Sequence, residues 1–305
     1  MRYSDIKVGY DCNNHCIHCI IANQRMNAME KRGDENRSTD ECCAEIRDSA
    51  ENGYDSIIIT GGEPTIRDDF LEILQYAKGL GLGISVQTNG RRLADPDFAA
   101  NAAKYVDNFI VALHGSNPAC HDHITRAKNS FAETVEGLKN IALLEKTLVI
   151  KVVMTKFNEQ DLPDILRLVN GLGIQTVNIA FPHACEEMVK HYEQVVPMYA
   201  DVRASVDECI RYAQESGMSL EFESVLPCAL TTRHDVRFFS DFQYMDVESE
   251  VKQLDNATLQ WNRARKRLKR KMEKCSLCTY NSLCEGYWME YVILRGESEF
   301  VPINA

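Results

Sequence analysis

Residues 10–19 read YDCNNHCIHC, and the stretch places Cys12, Cys16 and Cys19 within eight positions, three residues apart and then two. It follows an apolar run, IKVGY (6–10), with the character of a strand. After it, Ser38 with Glu41 three residues on forms a capping box, and Cys42, Ile46 and Ala50 make one stripe of the helix it opens. A second strand-like run, SIIIT (56–60), leads into GGEP at 61–64. Strand, cysteine loop, helix, strand and glycine turn make one β–α unit, with the cysteines and the glycines at successive strand ends.

The same rhythm continues. Strands are expected at GISVQT (83–88), NFIVALH (108–114), LVIKVVM (148–154) and TVNIAF (176–181), most of them apolar on both faces, as in a helix-covered parallel sheet. Helices are expected near 69–80, 97–106, 131–145, 161–171 and 197–216, with Pro197 in the first turn of the last. Six consecutive β–α units predict an α/β fold with a parallel, barrel-like sheet, whose active site forms at the C-terminal ends of the strands. Past residue 217 the rhythm breaks. MSLEFESVLPCAL reads as a strand ending at Pro227, followed by a polar loop, a basic helix and a second cysteine group. A division into 1–217 and 218–305 is expected.

Composition narrows the function classes. The 305 residues are 45% hydrophobic and 26% charged, which suits a globular chain of one large domain, or a large and a small one. The net charge of −11 gives no general case for nucleic-acid binding. The N-terminus has no signal-peptide pattern, and no apolar run approaches the roughly 18 residues of a membrane span. The chain reads as cytoplasmic. In that compartment its twelve cysteines point to metal or redox chemistry rather than to disulfides.

Three closely spaced thiolates can ligate a metal. Structural zinc wants four ligands, usually in two separated pairs. His15 or His18 could supply a fourth, but the segment is short for wrapping a tetrahedron. A four-iron cubane held by three cysteines instead keeps one iron open for another ligand. Gly61 and Gly62 allow close backbone approach at a strand end, and Glu63 can accept hydrogen bonds from an ammonium.

Taken together, Cys12-x3-Cys16-x2-Cys19 and Gly61–Pro64 resemble the signature of the radical S-adenosylmethionine (SAM) superfamily. VQTNG (86–90) and VALHGSNPACHDHITRAKNSF (111–131) resemble segments of its peptide-modifying branch, and the likeness covers about residues 4–195. It implies a partial (β/α)6 barrel and a [4Fe-4S] cluster on Cys12, Cys16 and Cys19 whose open iron is chelated by SAM. An electron then cleaves SAM to a 5′-deoxyadenosyl radical, which takes hydrogen from the substrate. It also implies that Gly61, Gly62 and Glu63 meet the methionine amino group. His18 stands in a usually aromatic position beside the adenine. Asn89, the segment Ala112 to His114, Arg126 and Asn158 are further cofactor-binding positions.

Cys275-x2-Cys278-x5-Cys284 resembles part of the SPASM or twitch extension, which carries auxiliary clusters. A full SPASM pattern would have cysteine at Trp288, so one auxiliary [4Fe-4S] cluster is expected, with Cys228 as fourth ligand. Cys228 has a rival role as a thiol hydrogen donor of the epimerase kind, and a structural zinc is the alternative occupant. Cys185 reads as a plain thiol, and Cys42, Cys43, Cys120 and Cys209 as small buried apolar residues. In WNRARKRLKRKMEK (261–274), Ala257, Trp261, Ala264, Leu268 and Met272 form a stripe that leaves the cations on a solvated helix face. His121 and His123 read as surface residues.

The resemblance implies a radical SAM enzyme acting on a ribosomally made peptide by cross-linking, oxidation or epimerisation. A dehydrogenase or epimerase of a small molecule such as an aminoglycoside is the second reading, and a non-enzymatic iron–sulfur regulator the third. Expected partners are the substrate and an electron donor such as flavodoxin or ferredoxin. The chain starts close before strand one, so leader recognition is expected from a separate leader-peptide-binding protein or by direct reading of the peptide. No nucleic-acid or membrane partner is expected.

Overall fold

A computed structural model describes residues 2–184, 187–230, 235–240, 248–255 and 257–304. Cys185 lies outside the described residues.

Six strands appear in the expected order: β1 (Arg2–Lys7), β2 (Ser56–Thr60), β3 (Gly83–Thr88), β4 (Asn108–Ala112), β5 (Thr147–Val153) and β6 (Thr176–Ala180), each parallel to its sequence neighbour. Before β2 come helices α1 (Ala22–Arg32) and α2 (Thr39–Glu51), and the later strands alternate with α3 (Phe70–Gly79), α4 (Pro96–Ala103), α5 (Pro118–Thr125), α6 (Ser130–Ala142) and α7 (Leu162–Gly171). After β6 follow α8 (Glu187–Lys190), α9 (Tyr192–Val195) and α10 (Tyr199–Ser216). The capping box of α2 forms as expected, with Ser38 Oγ accepting from Glu41 N–H and the Glu41 carboxylate accepting from Ser38 N–H. Pro197 does not enter α10, whose N-cap is Met198.

The sheet runs on past residue 217. Strand β7 (Ser219–Glu223) pairs parallel with β6, while β8 (Glu248–Lys252) pairs parallel with β1 and carries β9 (Thr258–Gln260) antiparallel on its far side. The order is therefore β7-β6-β5-β4-β3-β2-β1-β8-β9. The remaining elements are α11 (Trp261–Leu268), a small antiparallel pair of β10 (Lys269–Arg270) with β11 (Tyr287–Trp288), and α12 (Met289–Arg295). No helix among the described residues is long and apolar enough to cross a membrane.

The strands alternate rather than being apolar throughout. Ile6, Ile57, Ile59, Ile84, Val86, Phe109, Ile150 and Ile179 are fully or almost fully buried in one core with the helices. The other face is half-buried and polar, with Asp5, Lys7, Gln87, Lys151, Asn178 and Glu223 on it. Period-two alternation places these side chains opposite the helix-covered face. Lys151 Nζ pairs with Glu223 and donates to Asn178 Oδ1 at 2.6 Å, and Lys7 pairs with Asp5 at 2.9 Å.

Candidate functional site

The cysteine loop leaves β1 and is held at three points. At the β2 end, Gly62 N–H donates to Gly9 C=O and Glu63 N–H to Asp11 C=O, both at 2.8 Å. A Cβ at Gly61 would lie 2.0 Å from Gly9 O, and one at Gly62 2.0 Å from Asp11 O. Gly61 also has a φ of 143°, a conformation side chains rarely adopt. The glycines are expected to let the backbone approach a ligand closely. What comes closest to them is the backbone of the cysteine loop itself.

At the β3 end, Asn89 Nδ2 donates to Asn13 Oδ1 at 2.7 Å, and Arg91 Nη1 donates to Asn13 C=O at 2.5 Å and Asn14 Oδ1 at 2.9 Å. At the C-terminus of α5, His15 N–H reaches Thr125 C=O at 2.9 Å and Ile17 N–H reaches Ile124 C=O at 3.0 Å. Arg126 follows in the left-handed conformation, with its side chain exposed beside the loop.

Cys12 and Cys19 lie close enough to Cys16 to act on its thiol. Burial pushes Cys12 up to about 11, against a hydrogen bond from Asn14 N–H, with Glu63 and Cys19 adding. Burial raises Cys16 too, and the neighbouring Cys19 and Cys12 raise it further. Cys19 is raised by burial. An environment that holds thiols neutral when empty must release protons on metal binding. Among the described residues, no three His, Cys, Asp or Glu side chains converge as they would on a single ion. A cubane of four irons needs its thiolates spread wider than one ion does.

Glu63 is 3% exposed, and burial raises its pKa, against hydrogen bonds from its neighbours. Its Oε1 accepts from the hydroxyls of Thr65 and Thr88, both at 2.6 Å, and from Thr65 N–H at 3.1 Å. Its Oε2 accepts from Asn89 N–H at 2.6 Å. The carboxylate thus joins the ends of β2 and β3, and Oε2 keeps a lone pair.

Beside Cys19, His18 meets His114 edge-on with centroids 4.5 Å apart, and His114 stacks on His121 at 6.0 Å. All three are buried, which corrects the expectation that His121 lies on the surface; His123 is exposed. Burial lowers His18 and His121 to about 4 and drives His114 well below its ordinary value, so the stack is neutral at pH 7. His114 N–H donates to His121 Nδ1 at 3.1 Å, and Val153 N–H to His114 Nδ1 at 3.3 Å. His18 Nδ1 is buried without a partner. Asn158 is fully buried and spends its amide on the fold: it donates to His114 C=O and Val153 C=O and accepts from Thr155 N–H at 2.7 Å.

The second cysteine group also assembles. Cys228 sits on the turn Pro227–Ala229 after β7, and Cys275 on the turn Glu273–Leu277. The C-terminal tail ties the two regions together, with Val301 N–H donating to Cys228 C=O at 2.9 Å and Thr279 N–H to Ile303 C=O at 2.8 Å. Burial pushes the Cys228 thiol up to about 12, with Cys284, Cys278 and Cys275 each raising it further. Trp288 is core: it is 4% exposed and stacks on His183 at 4.2 Å.

The basic stretch differs from expectation. Its helix ends at Leu268, and Arg265 and Lys269 are buried rather than solvated. Both pair with the buried Glu285, Arg265 at 2.9 Å and Lys269 at 3.3 Å. Sequence reading also missed Asn13 and Arg91, because ordinary polar residues in turns carry no spacing signal. The signal for His121 was its place three residues after Pro118 within a helical turn, which buries one face.

Residues 6–169 match the radical SAM superfamily. Mycofactocin maturase MftC of Mycolicibacterium smegmatis is 34% identical over 167 residues, 54% of this chain and 40% of that protein. The AdoMet-dependent heme synthase of Methanosarcina barkeri is 27% identical over 170 residues, 56% of this chain and 47% of that protein. The chain thus aligns with less than half the length of these relatives. Streptococcus suis SuiB, solved with S-adenosylmethionine, superposes with a TM-score of 0.67 at 16% identity, covering 98% of this chain and 76% of SuiB; it has also been solved with its precursor peptide SuiA.

Proposed function

This chain belongs to the radical SAM superfamily, and from that premise we propose that Cys12, Cys16 and Cys19 hold a SAM-chelated [4Fe-4S] cluster with which the enzyme abstracts hydrogen from a peptide. The observation that carries the reading is the joint between the cysteine loop and the Gly61–Glu63 turn, two backbone hydrogen bonds of 2.8 Å at adjacent strand ends. When bound, the cluster and SAM supply the reductive cleavage that yields the 5′-deoxyadenosyl radical.

The protein's own contribution is positioning. Gly61 and Gly62 bring the turn against the loop. Glu63 offers its remaining lone pair on Oε2 to the methionine ammonium. Asn89 and Arg91 fix Asn13 and Asn14, and with them the spacing of Cys12 and Cys16. His18 and His114 give the adenine a neutral aromatic wall. Arg126 stands exposed where a SAM carboxylate can pair with it. Asn158 acts at one remove by holding the His114 backbone.

Cys228, Cys275, Cys278 and Cys284 are assigned to one auxiliary [4Fe-4S] cluster. The influence of Cys284, Cys278 and Cys275 on the Cys228 thiol supports this over a hydrogen-donor role for Cys228. Residues 1–217 are assigned to the SAM core and 218–305 to the auxiliary region, which lends β7, β8 and β9 to the core sheet. A peptide substrate is supported by the likeness to the maturase MftC and to SuiB with its peptide SuiA. The half-buried polar face with Lys151, Asn178 and Glu223 suits a polar chain. The likeness to a heme synthase favours the second reading, a small-molecule substrate. A flavodoxin or ferredoxin as donor, and a separate leader-binding protein, complete the proposal.

The deciding experiment is mass spectrometry of candidate precursor peptides incubated with enzyme, SAM and reductant. A loss of two hydrogens marks cross-linking or oxidation, and an unchanged mass with altered chirality marks epimerisation. SAM cleavage that no peptide stimulates but a small molecule does would replace the peptide reading.

A further inference from the structure

In a chain of net charge −11, the segment 261–274 contains one acidic residue, Glu273, among eight lysines and arginines. Two of its cations, Arg265 and Lys269, are buried against Glu285. Arg263, Lys266, Arg267 and Arg270 are exposed and form no ion pair among the described residues. Exposed cations without acidic partners lower the potential energy of an approaching anionic surface, and only those left unpaired do so fully.

This cationic face is fastened to the second cysteine group. Glu285, the residue after Cys284, anchors both buried cations. β10 pairs with β11 through Lys269↔Trp288 and Arg270↔Tyr287. A Cβ at Gly286 would lie 2.0 Å from Arg270 O, so the Cys284 loop runs directly against the Arg270 backbone. Lys271 Nζ donates to Asn281 C=O, within the loop from Cys278 to Cys284. Two apolar side chains stand in the open on the same cysteine segment, Leu277 at 72% exposed and Leu283 at 45%. Exposed leucines beside a charged rim are the usual make-up of a small, transient protein interface.

We propose that this face docks an acidic one-electron carrier protein over the second cysteine group. The occupant follows from charge complementarity, from the apolar pair at the cysteine loops, and from the cysteine segment fastened to this face. A nucleic acid would use the cations but gain nothing from Leu277 and Leu283. An acidic peptide would have no reason to sit over thiols. The proposal rests on reading that group as a redox centre.

Oxidised flavodoxin is a suitable probe, because the anisotropy of its bound flavin reports docking without any turnover. Titration with the holoenzyme should show saturable binding at low ionic strength that weakens steeply with salt. Arg263→Glu/Arg267→Glu/Arg270→Glu should weaken it at least tenfold, and Leu277→Ser should weaken it without changing the salt dependence. Arg92→Glu, in the turn after β3, should leave it unchanged. These are surface changes of small cost to folding. Unchanged binding by the triple variant, a larger loss from Arg92→Glu, or no binding by wild type overturns the proposal. Tighter, arginine-dependent binding of a poly-glutamate peptide or of RNA overturns it in favour of that ligand. Failure of the redox reading is separately visible: Cys275→Ala/Cys278→Ala/Cys284→Ala would then retain all the iron of wild type.

Discussion

Glu63 donates its backbone N–H to the carbonyl of Asp11 at 2.8 Å, so the residue that follows the paired glycines is tied to the residue that precedes Cys12. The joint is backbone to backbone. Only side chains absent at Gly61 and Gly62 make it possible, and it sets how the cysteine loop faces the end of β2.

Gly62→Ala tests that joint. The new Cβ would lie 2.0 Å from Asp11 O, a backbone atom that cannot rotate away. The loop must shift, and iron at the first site should fall while iron at the second group remains. Gly79→Ala is the control: in α3, with nothing within 4 Å of the new Cβ, it should be neutral or stabilising by about 0.5–1 kcal/mol. Full iron in Gly62→Ala would show that the loop tolerates displacement.

Replacing Cys12, Cys16 and Cys19 together with alanine should abolish 5′-deoxyadenosine formation and leave iron in the second group. Chromatography of the nucleoside, together with an iron assay, decides this. Cleavage at wild-type rate sinks the ligand assignment.

Glu63→Gln should do two things. The amide turns one acceptor into a donor among groups that all donate, namely the Thr65 and Thr88 hydroxyls and the Asn89 N–H. A buried mismatch of this kind costs roughly 1–3 kcal/mol, to be read as a lower melting temperature. SAM affinity should drop about tenfold or more from the lost charge-assisted bond. A lower melting temperature with unchanged SAM affinity would confine Glu63 to a structural role.

Cys228→Ala separates ligation from hydrogen donation. Ligation predicts a changed cluster spectrum or iron falling toward one cluster per chain, with SAM cleavage largely intact. Donation predicts unchanged iron and loss of solvent deuterium from the product. The second pattern would move the reaction toward epimerisation.

The buried histidine stack makes stability depend on pH. His18 titrates near 4 when folded and near 6.5 when unfolded. Between those values the unfolded chain binds more protons, so stability is complete above about 6.5 and is lost as pH falls toward 4. A shift of that size corresponds to about 3 kcal/mol at most for His18. In urea unfolding of the iron-free protein at pH 7 and pH 5, His18→Phe should lose less stability on acidification than wild type. Equal losses would show that His18 is not held neutral by the fold.

Much of the fold was legible locally. SIIIT and GISVQT coincide with β2 and β3, because β-branched runs closed by glycine carry their own strand signal. β8 was not legible: ESEVK has four polar residues of five, and it becomes a strand only because β1 offers it an unpaired edge. The polar face of the barrel strands was hidden for a related reason. Lys151 and Glu223 look like interruptions in apolar runs until neighbouring strands make them partners.

The sequence alone determined the chemistry of the site, since the cysteine spacing and the glycine pair are local facts that need no partner to be read. Tertiary structure decided which atoms meet. It spent the Glu63 carboxylate on β3, stacked three histidines from two separate segments, brought Cys228 to cysteines some fifty residues away, and buried two of the cations that a helical stripe had assigned to solvent. Such contacts depend on sheet register and chain crossover. Pairing energies between residues far apart in the chain leave no period or spacing in the sequence to read.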